Sequence, residues 1–391
     1  MTDIAAWLRT KHHTPGVTTR EAAPADAGPV RAIAFYLPQY HPIPENDAWW
    51  GKGFTEWTNV IRGTPRFVGH YQPHLPGELG LYDLRVPETR AAQAMLAAEH
   101  GISGFCYYHY WFGGRRLLER PFEEVIRSKA PNFPFCLCWA NENWSRRWDG
   151  SEHQILIAQQ HSPDDDRALI EALFDAFEDK RYIRVGGKPL FLVYRPMLLP
   201  NPKATTDIWR EACAKAGIGD LFLCNVHSFD TVSPYTIGFD AAVEFPPNLK
   251  PMRRLNDQLS FLVPRFEGDV FEYETRAEPP RVDYPLFRGV FPAWDNTARR
   301  KDTATIIVGS TPEKYAEWLS ALCAYSQKYL PADRRFVFIN AWNEWGEGCH
   351  LEPDARTGRA YLEKTRDVLE SFQVQCPSSS VRASSAVHHV R

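Results

Sequence analysis

No stretch of the 391 residues approaches the ~20 consecutive apolar residues that a membrane-crossing helix needs, so no transmembrane segment is expected. An excess of charge is equally lacking. The 45 basic and 48 acidic residues leave a formal charge of −3, which gives no electrostatic reason to expect a nucleic-acid partner. Metal-ligand spacings are missing too: the 13 His include no HExxH or close triplet, and Cys136-Leu137-Cys138 is one residue short of CxxC. Neither a metal nor another cofactor is expected. No Gly-rich dinucleotide turn follows the first apolar run, and GxSxG and P-loop signatures are absent, which weakens acyl and phosphoryl transfer. The eight Cys, at 106, 136, 138, 213, 224, 323, 349 and 376, read as buried free thiols in a reducing compartment. The opening MTDIAAWLRTKHHTPG lacks the apolar core and cleavage site of a secretory signal, so the chain reads as cytoplasmic. Residues 1–29 read as a loose leader and 376–391 as a disordered tail, flanking one catalytic unit over 30–375.

What the chain does have is aromatics, with 13 Trp, 16 Tyr and 23 Phe. Trp49, Trp50, Trp57, Trp111, Trp139, Trp144, Trp148, Trp294, Trp342 and Trp345 all have polar or Gly neighbours in sequence. A Trp in polar company suits a partner with an apolar face and many hydroxyls, as a sugar ring has. The bland alternative is that each is simply a large core residue.

From residue 31 onward, apolar runs of strand length alternate with segments of helical period. Strands are expected at 31–40, 102–110, 133–140, 189–194, 221–225, 241–245, 287–291 and 335–341. Helices are expected at 88–100, 117–128, 164–179, 206–216, 312–329 and 359–371. Eight strands separated mainly by helices imply an α/β fold, a (β/α)8 TIM barrel with long βα loops.

Seven of the strands end in polar and aromatic residues together: Gln39 and His41; His109 and Trp111; Trp139, Asn141 and Asn143; Asn225 and His227; Glu244; Trp294 and Asp295; Asn340, Trp342, Asn343 and Glu344. Carboxyl ends of barrel strands open on one face, so these residues should converge on a site for a carbohydrate partner. On the last strand Asn340, Trp342 and Glu344 should share a face, while Glu347 joins Glu344 only if the chain turns, which Gly346 and Gly348 permit. Paired carboxyls suit glycosidic-bond chemistry, one protonated to assist the leaving group and the other ionised. Trp345 and mutual repulsion can split their pKa values. The alternative is a salt-bridged loop using Arg356 or Arg359.

Five stretches resemble a known group: 34–42 (AFYLPQYHP), 49–57 (WWGKGFTEW), 104–112 (GFCYYHYWF), 139–144 (WANENW) and 343–348 (NEWGEG). The group is the WbsX-like proteins, which are related to glycoside hydrolase family 99. That hydrolase family comprises endo-acting mannosidases and mannanases with a (β/α)8 barrel, and the resemblance implies Glu344 as base and Glu347 as acid. It also implies a retaining reaction in which the sugar's own 2-hydroxyl is the nucleophile and a 1,2-anhydro sugar the intermediate. Tyr36 matches the family's aromatic first strand, and Trp294 and Asp295 its strand-seven segment. Trp50, Glu56 and Trp57 belong to the WbsX-like pattern. WbsX-like proteins are commonly labelled glycosyltransferases of O-antigen or capsule assembly, so glycosyl transfer stands as an alternative to glycoside hydrolysis or transglycosylation. A non-catalytic glycan-binding role is the third. The triplet Asp164-Asp165-Asp166 contains the DxD of metal-dependent transferases but reads as a helix start.

Overall fold

The apolar runs form eight parallel strands: β1 (Arg31–Tyr36), β2 (Ile102–Phe112), β3 (Phe135–Trp139), β4 (Lys188–Val193), β5 (Phe222–His227), β6 (Ala241–Glu244), β7 (Leu286–Val290) and β8 (Phe336–Ile339). Each pairs in parallel with the next, and β1 pairs with both β2 and β8, Tyr36 opposite Tyr107 and Ala34 opposite Ile339. The sheet is therefore a closed (β/α)8 barrel. Such strands are buried on both faces, which is why they read as continuous apolar runs rather than alternating ones. This computed structural model describes residues 28–146, 151–247, 252–275 and 279–373. The expected leader, apart from residues 28 and 29, lies outside them, as do the tail 376–391, Trp148 and Cys376. The other seven Cys are buried and unpaired, as expected.

The outer layer contains α1 (Pro87–Glu99), α2 (Arg120–Ser128), α3 (Pro163–Glu171), α4 (Pro202–Lys215), α5 (Pro312–Tyr329) and α6 (Ala360–Ser371). Pro sits at the start of five of the six, where its missing N–H leaves no intrahelical bond unmade. At α3 the Ser162 side chain caps the amide of Asp165 at 3.1 Å, and Asp164, Asp165 and Asp166 occupy the first turn, where negative charge meets the positive end of the helix. The DxD triplet is thus a helix start.

Several boundaries differ from expectation for local reasons. Strand β1 stops at Tyr36 instead of residue 40. Pro38 has no N–H, and the Asn343 amide takes both backbone groups of Leu37, accepting from its N–H at 2.8 Å and donating to its carbonyl at 3.1 Å. Helix α2 starts at Arg120 because Arg115–Leu117 folds back as a strand on the end of β2. The helix expected over 164–179 breaks into α3 and a short second helix, Phe174–Glu178. No α-helix is described between β6 and β7, only the short 3-10 helix Asn256–Gln258, and seven Pro occupy residues 246–285. A side sheet stands there instead, with Thr305–Val308 between Asp269–Glu272 and Trp294–Asp295. No helix among the described residues is long and apolar enough to cross a membrane.

Candidate active site

Residues at or beyond the carboxyl-terminal ends of all eight strands line a cavity of about 680 Å³. Aromatic walls come from Tyr108 and Tyr110 on β2, Trp144 after β3, Tyr194 after β4, Phe229 after β5 and Trp294 after β7, with Trp49 and Trp50 reaching in from the loop after β1. Trp144 packs edge-on against Trp49 at 5.9 Å and Tyr110 at 5.2 Å, so the loops brace one another. Tyr108 and Tyr110 face the cavity while Tyr107 packs outward on Tyr36 at 4.4 Å, the alternation expected of a strand.

Glu344 and Glu347 lie together in the cavity wall. Strand β8 ends at Ile339, after which Asn343–Glu344 pairs antiparallel with Cys349–His350 around the turn Trp345–Glu347. Gly348 closes that turn in the left-handed region at φ +57°. The turn brings Glu347 back to Glu344's side, as the pairing requires. The ideal alternation does not persist, however. Asn340 and Glu344 face the cavity, while Trp342 is fully buried and packs on Phe105 at 5.1 Å, because 340–344 no longer belongs to the barrel strand.

One guanidinium holds the carboxyls. Arg299 donates from Nη2 to Glu344 at 2.8 Å and from Nε to Glu56 at 2.9 Å, and its Nη1 lies 3.0 Å from Glu347. The cation is neither Arg356 nor Arg359; Arg359 pairs with Glu78. Gly346 has φ outside the left-handed region, and its freedom is not what matters there. A Cβ at that position would collide with the Glu56 carboxylate and lie 2.7 Å from Arg299 Nε, so only glycine lets the guanidinium cross the turn.

Burial raises the Glu344 carboxyl well above its ordinary range. Arg299 opposes that shift, and repulsion from Glu347 and Glu56 adds to it. Burial likewise raises Glu347, again against Arg299. Three carboxyls around one guanidinium favour keeping a proton in the cluster near neutral pH. Trp345 plays no part in this as a cavity wall. It turns away, donates its indole N–H to Glu352 at 2.7 Å and stacks on His350.

The other expected residues divide. Gln39, Trp50, Asn143 and Trp294 line the cavity, and Gln39 Nε2 lies 3.5 Å from Glu344. Glu56 belongs to the cluster through Arg299. The rest build the wall from behind. Tyr36 donates to Gln93 at 2.7 Å on the barrel's outer side. Trp57 donates to the Tyr82 carbonyl at 2.7 Å, Trp111 to Asp165 at 2.9 Å, and Trp139 packs on Trp209. Asn141 exchanges two hydrogen bonds with the backbone of Arg195, and Asn343 does the same with Leu37. Asp295 accepts from His70 at 2.7 Å and Gln72 at 2.6 Å; burial is the largest influence and would raise its carboxyl, but His70, His74 and the Thr297 hydrogen bond together outweigh it and hold it low. His41 and His109 are buried and pushed down by that burial to about 4 and about 3, so both stay neutral. Of the nine described Trp singled out in the sequence, four line the cavity: Trp49, Trp50, Trp144 and Trp294. Sequence reasoning missed Arg299, Tyr108, Tyr110 and Tyr194. The adjacent pair Arg299-Arg300, just past a polar strand end, was the one local signal for the first.

Behind the pair, Glu352 accepts from Trp345 and Tyr82 at 2.7 Å and from Gln93 at 2.6 Å. Burial pushes its carboxyl up to about 7, against the lowering effect of those donors. Its proton is held in the fold below about pH 7 but lost above 4.5 in the unfolded chain, so its contribution is full below 4.5 and disappears as pH rises through 7. Relative to Glu352→Gln, the wild type is expected to lose about 3 kcal/mol of stability between pH 4.5 and 7.5. Urea midpoints of both proteins across that range measure the difference, and a constant difference would remove Glu352 as the titrating group.

Set beside known proteins, the profile of a family described as "Glycosyltransferase WbsX" matches residues 32–365. The chain belongs to this family. Two proteins of Xanthomonas campestris pv. campestris, from strains B100 and ATCC 33913, both named "Uncharacterized protein WxcX", are 49% identical to this chain over 357 residues, 90% of its length and 51% of theirs. The chain thus spans about half the length of the curated relatives it matches. Among solved structures, the GH99 endo-α-mannosidase of Bacteroides thetaiotaomicron superposes with a TM-score of 0.56 at 15% identity, covering 88% of this chain and 97% of that one. A structure titled "Glycoside hydrolase-like protein" gives 0.56 at 12% identity, covering 93% and 98%. These likenesses show a shared barrel fold.

Proposed function

We propose that this chain is a retaining glycoside hydrolase or transglycosidase acting on a polysaccharide or oligosaccharide. The observation that carries the reading is the Glu344–Glu347 pair, held on one guanidinium in the wall of an aromatic cavity and biased by burial to retain a proton. In the reaction, Glu344 takes the proton of the sugar's 2-hydroxyl as O2 attacks the anomeric carbon. Glu347 gives its proton to the departing glycosidic oxygen. Water, or an acceptor hydroxyl, then opens the 1,2-anhydro sugar: Glu347 takes its proton and Glu344 returns one to O2. The aromatic walls supply apolar faces for sugar rings, and Gln39, Asn143 and Asn340 supply polar contacts. The free buried thiols support a cytoplasmic setting.

Incubation with a panel of bacterial surface polysaccharides, followed by mass spectrometry, is expected to show shortened or transferred glycans, with the anomeric configuration retained by NMR. Inverted products would exclude the anhydro-sugar route.

The family's description favours a second reading, a glycosyltransferase, for which O-antigen or capsule assembly is the setting that the resemblance implies. That enzyme needs an activated donor. Calorimetry with sugar nucleotides, with and without divalent metal, separates the two: the hydrolase reading expects no binding, and a donor bound tightly and turned over would replace it.

A further inference from the structure

A second cluster lies behind the Glu344–Glu347 turn and outside the cavity lining. His74 in the loop after β1, and His350 and Asp354 beyond β8, each present a ligand atom within 4.8 Å of the other two. His350 and Asp354 are buried and the His74 side chain is 13% exposed. No sequence spacing reveals this set, because 276 residues separate the two His.

The imidazoles are oriented as ligands. His350 Nδ1 lies 3.0 Å from the Glu352 carbonyl, which can only accept, so the ring proton sits on Nδ1 and the Nε2 lone pair points at His74. Trp345 stacks on the His350 ring at 3.6 Å, fixing its plane. His74 turns Nε2 toward the Asp295 carboxylate, 3.8 Å away, and Nδ1 toward His350 Nε2, 3.4 Å away. Two nitrogens each about 2.0–2.1 Å from a tetrahedral ion are about 3.4 Å apart. A direct N–H···N hydrogen bond would be unusually long at that distance. The hydrogen bonds to the Asp354 side chain, from the amides of Arg356 and Thr357 and the Thr357 hydroxyl, all fall on Oδ1, which orients the carboxylate while leaving its other oxygen to a further partner. Outer carbonyl and carboxylate partners that fix tautomer and ring plane are the usual support of metal-bound His.

We propose that His74 Nδ1, His350 Nε2 and a carboxylate oxygen of Asp354 bind one divalent transition-metal ion, zinc by preference. Two imidazoles and one carboxylate suit zinc and its neighbours, whereas magnesium and calcium favour all-oxygen sets. The ion pins the loop after β1 to the segment after β8, behind the turn that carries Glu344 and Glu347. The assignment is independent of the reaction catalysed.

The test uses the full chain, stripped with a chelator, reloaded with zinc or cobalt(II) and desalted. Wild type is expected to retain one ion per chain by elemental analysis, to show the visible absorption of low-coordinate cobalt(II), and to melt at a higher temperature with zinc than without. His74→Gln, at the partly exposed end of the cluster, and Asp354→Asn are each expected to weaken retention by about tenfold or more, with unchanged far-UV circular dichroism. Should His350→Ala fail to fold, His74→Gln decides the matter. Wild type that retains no ion overturns the site and leaves the two His as a proton-sharing pair. Equal retention by wild type and His74→Gln overturns it as well.

Discussion

Glu344→Gln and Glu347→Gln are each expected to lower turnover by about 10²–10⁴-fold while leaving the barrel folded. Glutamine keeps the size of the side chain and an oxygen that Arg299 can still reach, so the geometry at 2.8 and 3.0 Å survives. What it loses is the ability to take up and release a proton near neutral pH, and both proposed roles depend on that. Stability should hold or rise, since each substitution removes one of three carboxyls crowded on a single cation, as expected where a site holds strain for function. The two variants should separate on leaving group. A glycosyl fluoride departs without protonation, so Glu347→Gln is expected to recover most activity on it while Glu344→Gln stays inactive. Recovery by Glu344→Gln instead would exchange the roles, and full activity of both variants on the natural glycan would remove the pair from the chemistry altogether.

The barrel was legible because a parallel strand covered on both faces leaves a plain record. The runs FCLCW of β3 and FVFI of β8 need no alternation to be recognised, and the structure places all eight strands close to where they read. The polar strand ends were legible as a set, and their convergence on one cavity follows from parallel topology. Individual residues were less so, since a polar residue at a strand end can point inward to ligand or sideways to backbone. Asn141 and Asn343 point sideways and stitch neighbouring strand ends; Asn143 and Asn340 line the cavity. Trp342 and Glu344 lie two residues apart yet on different sides, because β8 ends before them. Arg299 could not be singled out from 45 basic residues, because the carboxyls that define its role lie 243 residues before it and 45 after it. The His74–His350 approach was hidden for the same reason. Long-range pairing leaves no period in the chain.

Arg299→Leu is expected to destabilise the fold by about 3–5 kcal/mol at pH 8, because it strands the buried Glu56 and Glu344, and the partly exposed Glu347 beside them, with their shared cation gone. The sign of the pH dependence follows from the same cluster. Burial already raises Glu344 and Glu347 above 4.5, and Arg299 is the largest opposing influence on both. Without it the folded-state values climb further. The folded variant therefore takes up protons that the unfolded chain has released, and its stability is fullest below about pH 4.5 and falls as pH rises. Urea midpoints of wild type and variant should be closest in acid and diverge toward pH 8. Arg299→Lys restores the charge but not the fork, and one ammonium cannot match the spread of Nε, Nη1 and Nη2 over three carboxyls; it should recover part of the stability and little of the activity. Adding Glu56→Gln to Arg299→Leu should regain stability at pH 8, because it removes one stranded charge without touching the proposed catalytic pair. If the Arg299→Leu deficit is the same at pH 5 and pH 8, or if Glu56→Gln restores nothing, the three carboxyls do not depend on this guanidinium for their place in the fold.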